Sequence, residues 1–207
     1  MSMKKNTVIL DIDGVLADYR LGLLWWINTN YPKLREICYA HLSRIDTWIN
    51  HKTMGISFRE WLDILERFRM SGGKLLIPEF PGARELIKYC KEEGHRIVLV
   101  TSRPFDIYSS IYRDTLEWLE EKKFDHSLVL FSKSKADIIY KLRLVDDVLF
   151  TVDDEVQHAL QYAELDLKSY WLNHYSAKVK DKPKNLIEIH NINQIIGMEI
   201  YGDAIKN

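Results

Sequence analysis

The amino-acid sequence predicts an α/β fold, in which a doubly wound parallel sheet carries a helical insertion after its first strand. Short apolar runs rich in β-branched residues recur along the chain, and helical patterns lie between most of them. Near-continuous apolar strands that alternate with helices are typical of a parallel sheet covered on both faces. Residues 19–77 break this alternation, because they contain helical patterns and no convincing strand.

Six apolar runs are predicted to form the sheet. They cover residues 7–12, 96–101, 128–131, 148–152, 168–172 and 186–189. The clearest helix between them begins at Ala83, where apolar residues recur at helical spacing as far as Cys90. Gly94 stands where a glycine is expected just after a helix end. Further helices are predicted over residues 107–122, from Lys135 onward and over residues 155–165.

The insertion is predicted to contain helices over residues 19–30, 34–45 and 57–70. Ser57 and Glu60 have the spacing of a capping box, which marks the start of the third helix. A structureless loop of this length is uncommon in a compact domain, so residues 19–77 are predicted to form a small helical cap, with S-G-G-K at 71–74 in its return hinge. The core would comprise residues 1–18 and 78–207, and its end after Ile196 is expected to be loosely attached.

Composition and charge argue against several classes of protein. Hydrophobic residues make up 46% of the chain and charged residues 29%, as in a globular protein with ample core. A net charge of −1 gives no basic field for general binding of nucleic acid or membranes. Cys38 and Cys90 suggest no disulfide framework or zinc spacing. The N-terminal segment is not expected to be a signal peptide and no apolar run approaches the ~20 residues that span a bilayer, so a cytoplasmic protein is predicted.

Polar side chains that could carry chemistry follow four of the predicted strands. They are Asp11 and Asp13 at the end of the first strand, Thr101, Ser102 and Arg103 at the end of the second, Lys133 and Lys135 after the third, and Asp153 and Asp154 at the end of the fourth. Ligands of a doubly wound sheet bind outside the carboxyl ends of its strands. These side chains are therefore expected to converge on one rim of the sheet.

Such a set of side chains suits phosphoryl transfer. Two carboxylates beside a buried strand are costly without a positive partner, and carboxylate oxygens around an open position suit Mg²⁺. One carboxylate could attack phosphorus to give an aspartyl-phosphate, while a second could protonate the leaving oxygen and then activate water. The Thr101 hydroxyl and backbone N–H groups could hold the phosphoryl oxygens, and a lysine could offset negative charge.

Four ordered motifs resemble those of the haloacid dehalogenase-like phosphohydrolases. They are D-I-D-G-V-L-A-D at 11–18, L-V-T-S-R at 99–103, S-K-S-K-A-D-I-I at 132–139 and F-T-V-D-D at 150–154. The first motif, the insertion that follows it and the phrase P-x-x-P-G-A-x-E at 78–85 are also similar to the 5′(3′)-deoxyribonucleotidases. The resemblance covers residues 7–190 and implies a Rossmann-like core with a cap.

The resemblance implies a role for each of these residues. Asp11 would be the nucleophile, Asp13 the general acid and base, and Thr101 a phosphate-binding residue. Mg²⁺ would be held by Asp11, the backbone carbonyl of Asp13 and Asp153, with Asp154 close by.

Two assignments stay open on the sequence alone. Lys135 is the position that the resemblance implies for the active-site lysine, but Lys133 lies two residues away and could serve. V-D-D-V at 145–148 contains the same dipeptide as Asp153-Asp154. The later pair is preferred because a β-rich run precedes it and a helical pattern follows it.

Other residues could contact the substrate. Ser102 and Arg103 are candidates for substrate binding; Arg103 could clamp a second phosphate or the nucleotide, and a surface ion pair is an equal alternative. Asp18 either caps the first helix of the insertion or orients the site. Aromatic residues of the insertion are expected to form its core, with one or two facing the cleft to stack on a base; they are Trp25, Trp26, Trp48, Phe58 and Trp61.

The sequence therefore predicts a Mg²⁺-dependent phosphomonoester hydrolase that acts on nucleoside monophosphates, including deoxyribonucleotides. A polynucleotide 3′-phosphatase or another small-molecule phosphatase is the alternative enzyme, since T-S-R-P at 101–104 and T-L-E-W-L at 115–119 resemble the former. The net charge counts against long nucleic acids as substrates. A non-catalytic nucleotide-binding regulator is the alternative from another class, although both Asp11 and Asp13 are present. No membrane partner is expected.

Overall fold

The computed structural model describes residues 6–44 and 47–201. Within them, the strands are β1 (Thr7–Leu10), β2 (Arg96–Thr101), β3 (Leu128–Phe131), β4 (Val148–Asp153), β5 (Ser169–Leu172) and β6 (Leu186–Ile189). The α-helices are α1 (Tyr19–Asn30), α2 (Arg35–Leu42), α3 (Phe58–Met70), α4 (Ala83–Glu92), α5 (Ser109–Lys122), α6 (Lys135–Lys141), α7 (Val156–Glu164) and α8 (Asn193–Tyr201). Each predicted strand is found within two residues of its predicted bounds.

In the described part of the chain, the strands form one parallel sheet in the order β3-β2-β1-β4-β5-β6. The predicted doubly wound fold is therefore confirmed. In chain order, β2 and β3 lie on one side of β1, and β4, β5 and β6 then follow on its other side. Ligands of open α/β sheets bind at this switch point, outside the carboxyl ends of the strands. Leu10 of β1 pairs with Val152 of β4, so Asp11 and Asp153 follow on neighbouring strands.

Helices cover both faces of the sheet. Val8 and Leu10 of β1 belong to an apolar cluster that includes residues of α4, α5 and α8. Ile9 belongs to a second cluster, on the opposite face, with residues of α6 and α7. All three β1 side chains are fully buried. A strand that is buried on both faces explains why the sequence of β1 is a continuous apolar run.

The helices α1, α2 and α3 lie between β1 and α4 in the chain and outside the sheet. Their buried apolar side chains belong to the apolar cluster that also contains residues of α4 and α5. Asp18 caps α1, which is one of the two roles predicted for it, and Ser57 caps α3 as the capping-box spacing predicts. The predicted second helix of the insertion ends at residue 45, which lies outside the described residues.

Residues 197–201, the described part of the segment expected to be loosely attached, form the second half of α8. Ile195 is fully buried, and α8 packs against α4. On its polar side, Glu199 accepts hydrogen bonds from the Lys168 ammonium at 2.8 Å and from the Tyr170 hydroxyl. The expectation is therefore wrong as far as Tyr201, because buried contacts and polar bonds both tie the helix to the core. Residues 202–207 lie outside the described part of the chain.

Gly22 provides a test of how α1 packs on the insertion's return segment. A Cβ at this position would lie 2.9 Å from Cγ1 of Ile77 and 3.0 Å from its Cα. Because one of these atoms belongs to the backbone, rotation of a side chain cannot relieve the overlap. We expect Gly22→Ala to lower the free energy of unfolding by about 1–3 kcal/mol, measured by urea unfolding.

Gly197→Ala is the matched control, since a Cβ there would meet nothing within 4 Å. Alanine is favoured over glycine in a helix by up to about 1 kcal/mol, so this variant should be as stable as the parent or more stable. A Gly22→Ala protein that is no less stable than the parent would contradict the packing described.

Candidate functional site

The carboxylate of Asp11 lies at the carboxyl end of β1, in the middle of the sheet. The backbone N–H of Asp11 donates to the carbonyl of Val152 at 3.0 Å, so the ladder with β4 extends beyond the strand. Its Oδ1 accepts a hydrogen bond from the N–H of Ile12 at 2.7 Å. Only 5% of the residue is exposed, so this anion needs a nearby positive charge.

Lys135, the first residue of α6, supplies that charge. Its Nζ lies 2.8 Å from Oδ2 of Asp11 and 2.8 Å from Oδ2 of Asp153, and its side chain is fully buried. Burial lowers the pKa of Lys135, but the two carboxylates more than offset this and hold the pKa above its usual value. Lys133, the alternative lysine, lies on the surface in an ion pair with Asp106 at 3.3 Å.

Asp154 joins Asp11 and Asp153 in a cluster of carboxylates. One oxygen from each lies within 4.8 Å of the others. Burial raises the pKa of Asp153 to about 7, and the charge of Asp11 adds to this although Lys135 acts against it. Burial and the neighbouring carboxylates also raise the pKa of Asp154. Oxygen ligands that repel one another in this way fit a hard divalent cation such as Mg²⁺.

Gly14 makes room for Asp154. Its φ of +83° lies in the left-handed region that favours glycine, and a Cβ would lie 2.1 Å from Oδ2 of Asp154. Any other residue would displace that carboxylate. The glycine of the first motif is thus required both by its own backbone and by a contact with the last motif.

The alternative aspartate pair lies elsewhere. Asp146 and Asp147 fall in a short 3₁₀ turn (Val145–Asp147) that precedes β4, whereas Asp153 ends that strand. Asp147 accepts hydrogen bonds from the Asn6 N–H at 3.3 Å and from the Thr7 hydroxyl. Thr7 begins β1, so this pair lies at the end of the sheet opposite to Asp11.

The carboxylate of Asp13 is held by two buried basic side chains, Arg103 and Lys74. Burial lowers the pKa of Lys74 to about 7, although the charge of Asp13 acts against this. Arg103 donates from Nη2 to Oδ1 at 2.6 Å and from Nε to Oδ2 at 3.1 Å, and Lys74 Nζ donates to Oδ2 at 2.5 Å. Burial raises the pKa of Asp13, but these charges more than offset it and hold the pKa well below its usual range. Asp13 is therefore ionised, and the metal contact predicted for it depends on its backbone carbonyl.

Arg103 is buried, with only 3% of the residue exposed, so the alternative of a surface ion pair is wrong. Its Nη1 donates to the Thr115 hydroxyl at 3.0 Å, in addition to the two bonds to Asp13. Its backbone N–H donates to Oγ1 of Thr101 at 3.3 Å. Thr101 is itself buried at the end of β2. These bonds bring Arg103 of the second motif into contact with Asp13 of the first motif.

Lys74 is a site residue that the sequence reasoning missed. It comes from the insertion, in a 3₁₀ turn (Gly73–Leu76) after Gly72, whose φ is +72°. Gly73 packs so tightly that a Cβ on it would lie 2.3 Å from the Phe68 ring. The two glycines therefore carry the chain close to α3 before Lys74 enters the site. The signal in the sequence is S-G-G-K at 71–74, whose glycines by themselves indicate only a hinge.

A cavity of about 630 Å³ is lined by Asp11, Asp13, Lys74, Arg103 and Asp154. Ser102 lines it, as do Trp48 and Trp61 among the aromatic residues of the insertion. Trp48 meets Tyr175, from the segment after β5, edge to face at 5.2 Å between ring centroids. His174, for which the sequence suggested no role, also lines the cavity. Its Nε2 lies 2.8 Å from the carbonyl oxygen of Gly14.

The remaining insertion aromatics contribute less to the cavity. Trp25 and Phe58 are about half exposed, at 49% and 58%, and do not line it. Trp26 packs edge to face on Phe68 at 5.5 Å. This agrees with the expectation that one or two of these rings face the cleft.

The chain is similar to one protein in sequence and to several solved structures in fold. No protein-family model matches it. A protein of Chlorobaculum tepidum named "Putative 5'(3')-deoxyribonucleotidase" is 28% identical over 151 residues, which are 66% of this chain and 68% of that protein. The solved structure of a "predicted phosphatase from Clostridium acetobutylicum" has a TM-score of 0.63 and 18% identity, covering 97% of this chain and 100% of that chain. A dehalogenase "with intermediate complex" has a TM-score of 0.63 and 11% identity, covering 95% and 98%.

These comparisons confirm the predicted resemblance as a likeness of fold to proteins named as a phosphatase and a dehalogenase. At such identities the solved structures establish the fold. Two of them carry the names of different reactions, so the reaction of this chain must be argued from its own side chains.

Lys135→Met tests the charge balance at the centre of the site. Removing the ammonium leaves Asp11 and Asp153 buried without compensation, which we expect to cost about 3–5 kcal/mol in the free energy of unfolding at neutral pH. Burial already raises the pKa of Asp153 to about 7 against the charge of Lys135, and loss of that charge should raise it further. Stability should therefore fall as pH rises toward this raised value and recover toward pH 5, where the Asp153 carboxyl is protonated in the folded state.

Thermal and urea unfolding between pH 5 and 8 would measure this dependence in the absence of divalent cations. Lys133→Met is the control, because Lys133 is paired with Asp106 at the surface. A loss that is equal in both variants, or that does not change with pH, would show that Lys135 has no such electrostatic role.

Proposed function

We propose that this protein is a Mg²⁺-dependent phosphomonoester hydrolase that acts through an aspartyl-phosphate on Asp11. The observation that carries the proposal is the cluster of Asp11, Asp153 and Asp154 around the end of β1, with oxygens within 4.8 Å of one another and Lys135 bound to two of them. The names of the deoxyribonucleotidase relative and of the solved phosphatase support the same class of enzyme.

Asp11 is the proposed nucleophile. The N–H of Ile12 and the ammonium of Lys135 bind its two oxygens, which fixes the orientation of the carboxylate. Attack forms a bond from Asp11 to phosphorus and breaks the bond from phosphorus to the leaving oxygen. Lys135, the Thr101 hydroxyl and the backbone N–H groups that follow β1 and β2 are the groups that would balance charge on the phosphoryl oxygens.

Asp13 is the proposed acid and base, and its ionised state has a consequence for the order of events. An ionised Asp13 can take a proton from the water that hydrolyses the aspartyl-phosphate. To protonate the leaving oxygen in the first step it must first gain a proton. A phosphate dianion beside Asp13 would raise the pKa of that carboxyl and attract Arg103 and Lys74. Substrate binding is thus proposed to favour the acid form.

The residues proposed to hold Mg²⁺ are Asp11, Asp153 and Asp154, with the backbone carbonyl of Asp13. When bound, the ion would supply positive charge that allows an anionic nucleophile and an anionic phosphate to meet. The oxygen-only donor set supports this choice, as does the pKa of about 7 at Asp153, since crowded carboxylates exchange protons for a cation.

The substrates are proposed to be small phosphomonoesters, and more finely nucleoside monophosphates or deoxyribonucleotides. A cavity of about 630 Å³ has the size of a small-molecule site, and Trp48, Trp61 and Tyr175 offer aromatic surfaces for a base. Residues 19–77 would act as a cap that excludes water. A polynucleotide 3′-phosphatase remains the alternative, with the net charge of −1 against it.

The location of the protein is proposed to be cytoplasmic. Cys38 and Cys90 are free and buried, which suits a reducing compartment. No helix within residues 6–44 and 47–201 is long and apolar enough to cross a membrane.

Asp11→Asn tests the nucleophile. The amide keeps the shape of the side chain but cannot attack, so hydrolysis of p-nitrophenyl phosphate should fall by about 10³-fold or more. Circular dichroism should show an intact fold, and inorganic phosphate should still bind in the presence of Mg²⁺. Retention of more than a few per cent of the turnover would remove Asp11 from its role. If the parent protein shows no Mg²⁺-dependent turnover, the alternative of a non-catalytic nucleotide-binding regulator is favoured.

Asp153→Asn tests the metal site, with Asp146→Asn as the matched control at the other end of β4. Loss of one charged oxygen from the cluster should raise the Mg²⁺ concentration needed for half-maximal turnover by at least about tenfold. Calorimetric titration of Mg²⁺ should show the same loss of affinity without substrate. If Asp146→Asn has the larger effect, the metal site has been assigned to the wrong aspartates.

A further inference from the structure

We propose that Arg69, Lys74 and Arg103 form a second anion site in the cavity, which binds a negatively charged group on the leaving group of the substrate. The inference rests on the proposed function and narrows its substrate class to phosphomonoesters that carry a second anionic group, either a phosphate or a carboxylate.

Lys74 is the first reason for this proposal. Arg103 alone already binds both oxygens of Asp13, at 2.6 and 3.1 Å. Lys74 is nevertheless buried beside the same carboxylate, with 3% of the residue exposed, and its Nζ lies 4.1 Å from the centroid of the Tyr19 ring. A buried ammonium that shares its counter-ion with a guanidinium is costly. An anionic ligand would balance the additional charge.

Arg69 is the second reason. It lies in the last turn of α3, lines the same cavity and is held over the Tyr108 ring, 5.4 Å from its centroid. Among the residues that the structure describes, it forms no ion pair. Arg67 on the same helix is different, because it pairs with Asp63 at 3.0 Å and its side chain is 66% exposed.

None of the other described carboxylates that line the cavity forms an ion pair with Arg69, Lys74 or Arg103. Asp154 belongs to the cluster with Asp11, and Asp18 accepts the capping bond from α1. Oε2 of Glu155 lies 3.3 Å from Nε2 of His158, whose pKa is lowered by burial. Lys74 and Arg103 thus bind Asp13, while Arg69 lines the same cavity and forms no ion pair within the described residues.

The position of Asp13 tells which part of the substrate this site would contact. Lys135 lies against Asp11 and Asp153, so the transferred phosphoryl group belongs on that side. A proton donor must face the leaving oxygen, and Asp13 is bound to Lys74 and Arg103. A charged group held by Lys74 and Arg69 is therefore part of the leaving group.

Matched substrate pairs test the inference. 3-Phosphoglycerate differs from glycerol 3-phosphate by a carboxylate in place of a hydroxymethyl group, and adenosine 3′,5′-bisphosphate differs from adenosine 5′-monophosphate by a phosphate. In at least one pair, the charged member should have a kcat/KM about tenfold higher, equivalent to ~1.4 kcal/mol. The pair that shows the preference distinguishes a carboxylate from a phosphate as the second group.

Arg69→Gln should reduce that preference about tenfold, mainly through KM, and Arg69→Lys should restore part of it. Lys74→Met should also reduce it. Arg67→Gln is the control and should leave the preference unchanged, since Arg67 does not line the cavity. Thermal unfolding of each variant would separate a change in folding from a change in binding.

Equal hydrolysis of both members in both pairs, or equal losses on both members in Arg69→Gln, would overturn the inference and leave the proposed hydrolase intact. If the protein hydrolyses no phosphomonoester, the proposed function fails and calorimetry decides the inference. The charged members of the pairs should then still bind more tightly than the uncharged members, and Arg69→Gln should remove the difference. No difference in binding would overturn it.

Discussion

The rest of the site depends on the contacts of the Lys135 ammonium with Asp11 and Asp153. It allows Asp11 and Asp153 to end neighbouring strands at the switch point of the sheet, where two buried carboxylates would otherwise repel each other. It also ties the start of α6 to β1 and β4. One ammonium does not balance the carboxylates of the cluster, so the site can accept a cation. Asp13, by contrast, is bound by two basic side chains, Lys74 and Arg103.

The sequence was informative where local pattern and buried environment agree. Strands that are covered on both faces are continuous apolar runs, and the bounds predicted for β2, β3 and β6 match those observed. The sequence did not distinguish Lys133 from Lys135, because the direction of each side chain depends on where α6 begins. In the structure α6 begins at Lys135, whose ammonium contacts Asp11 and Asp153, whereas Lys133 lies at the surface. The aspartate pairs were separable for a similar reason, because only Asp153 ends a strand.

Tertiary contacts explain what the sequence could not reveal. Arg103 follows a strand, in a stretch of sequence that is typical of a protein surface. In the structure it is buried, because it donates hydrogen bonds to Asp13 and Thr115. Lys74 follows two glycines, which locally indicates a turn, and only the packing of Gly73 against Phe68 shows that the turn faces inward. A shared fold could not supply these facts either, because similar structures carry the names of a dehalogenase and a phosphatase.

The central position of β1 has a consequence for how the protein is made. Both sheet neighbours of β1 follow it in the chain, beginning at Arg96 and Val148. On the ribosome, the apolar segment of β1 is therefore synthesised long before either partner, and the cluster at its end cannot form until β4 has emerged. Pairing between distant segments slows folding and leaves apolar surface open to aggregation. Chaperone capacity and the rate of translation should therefore control the yield of this protein in cells.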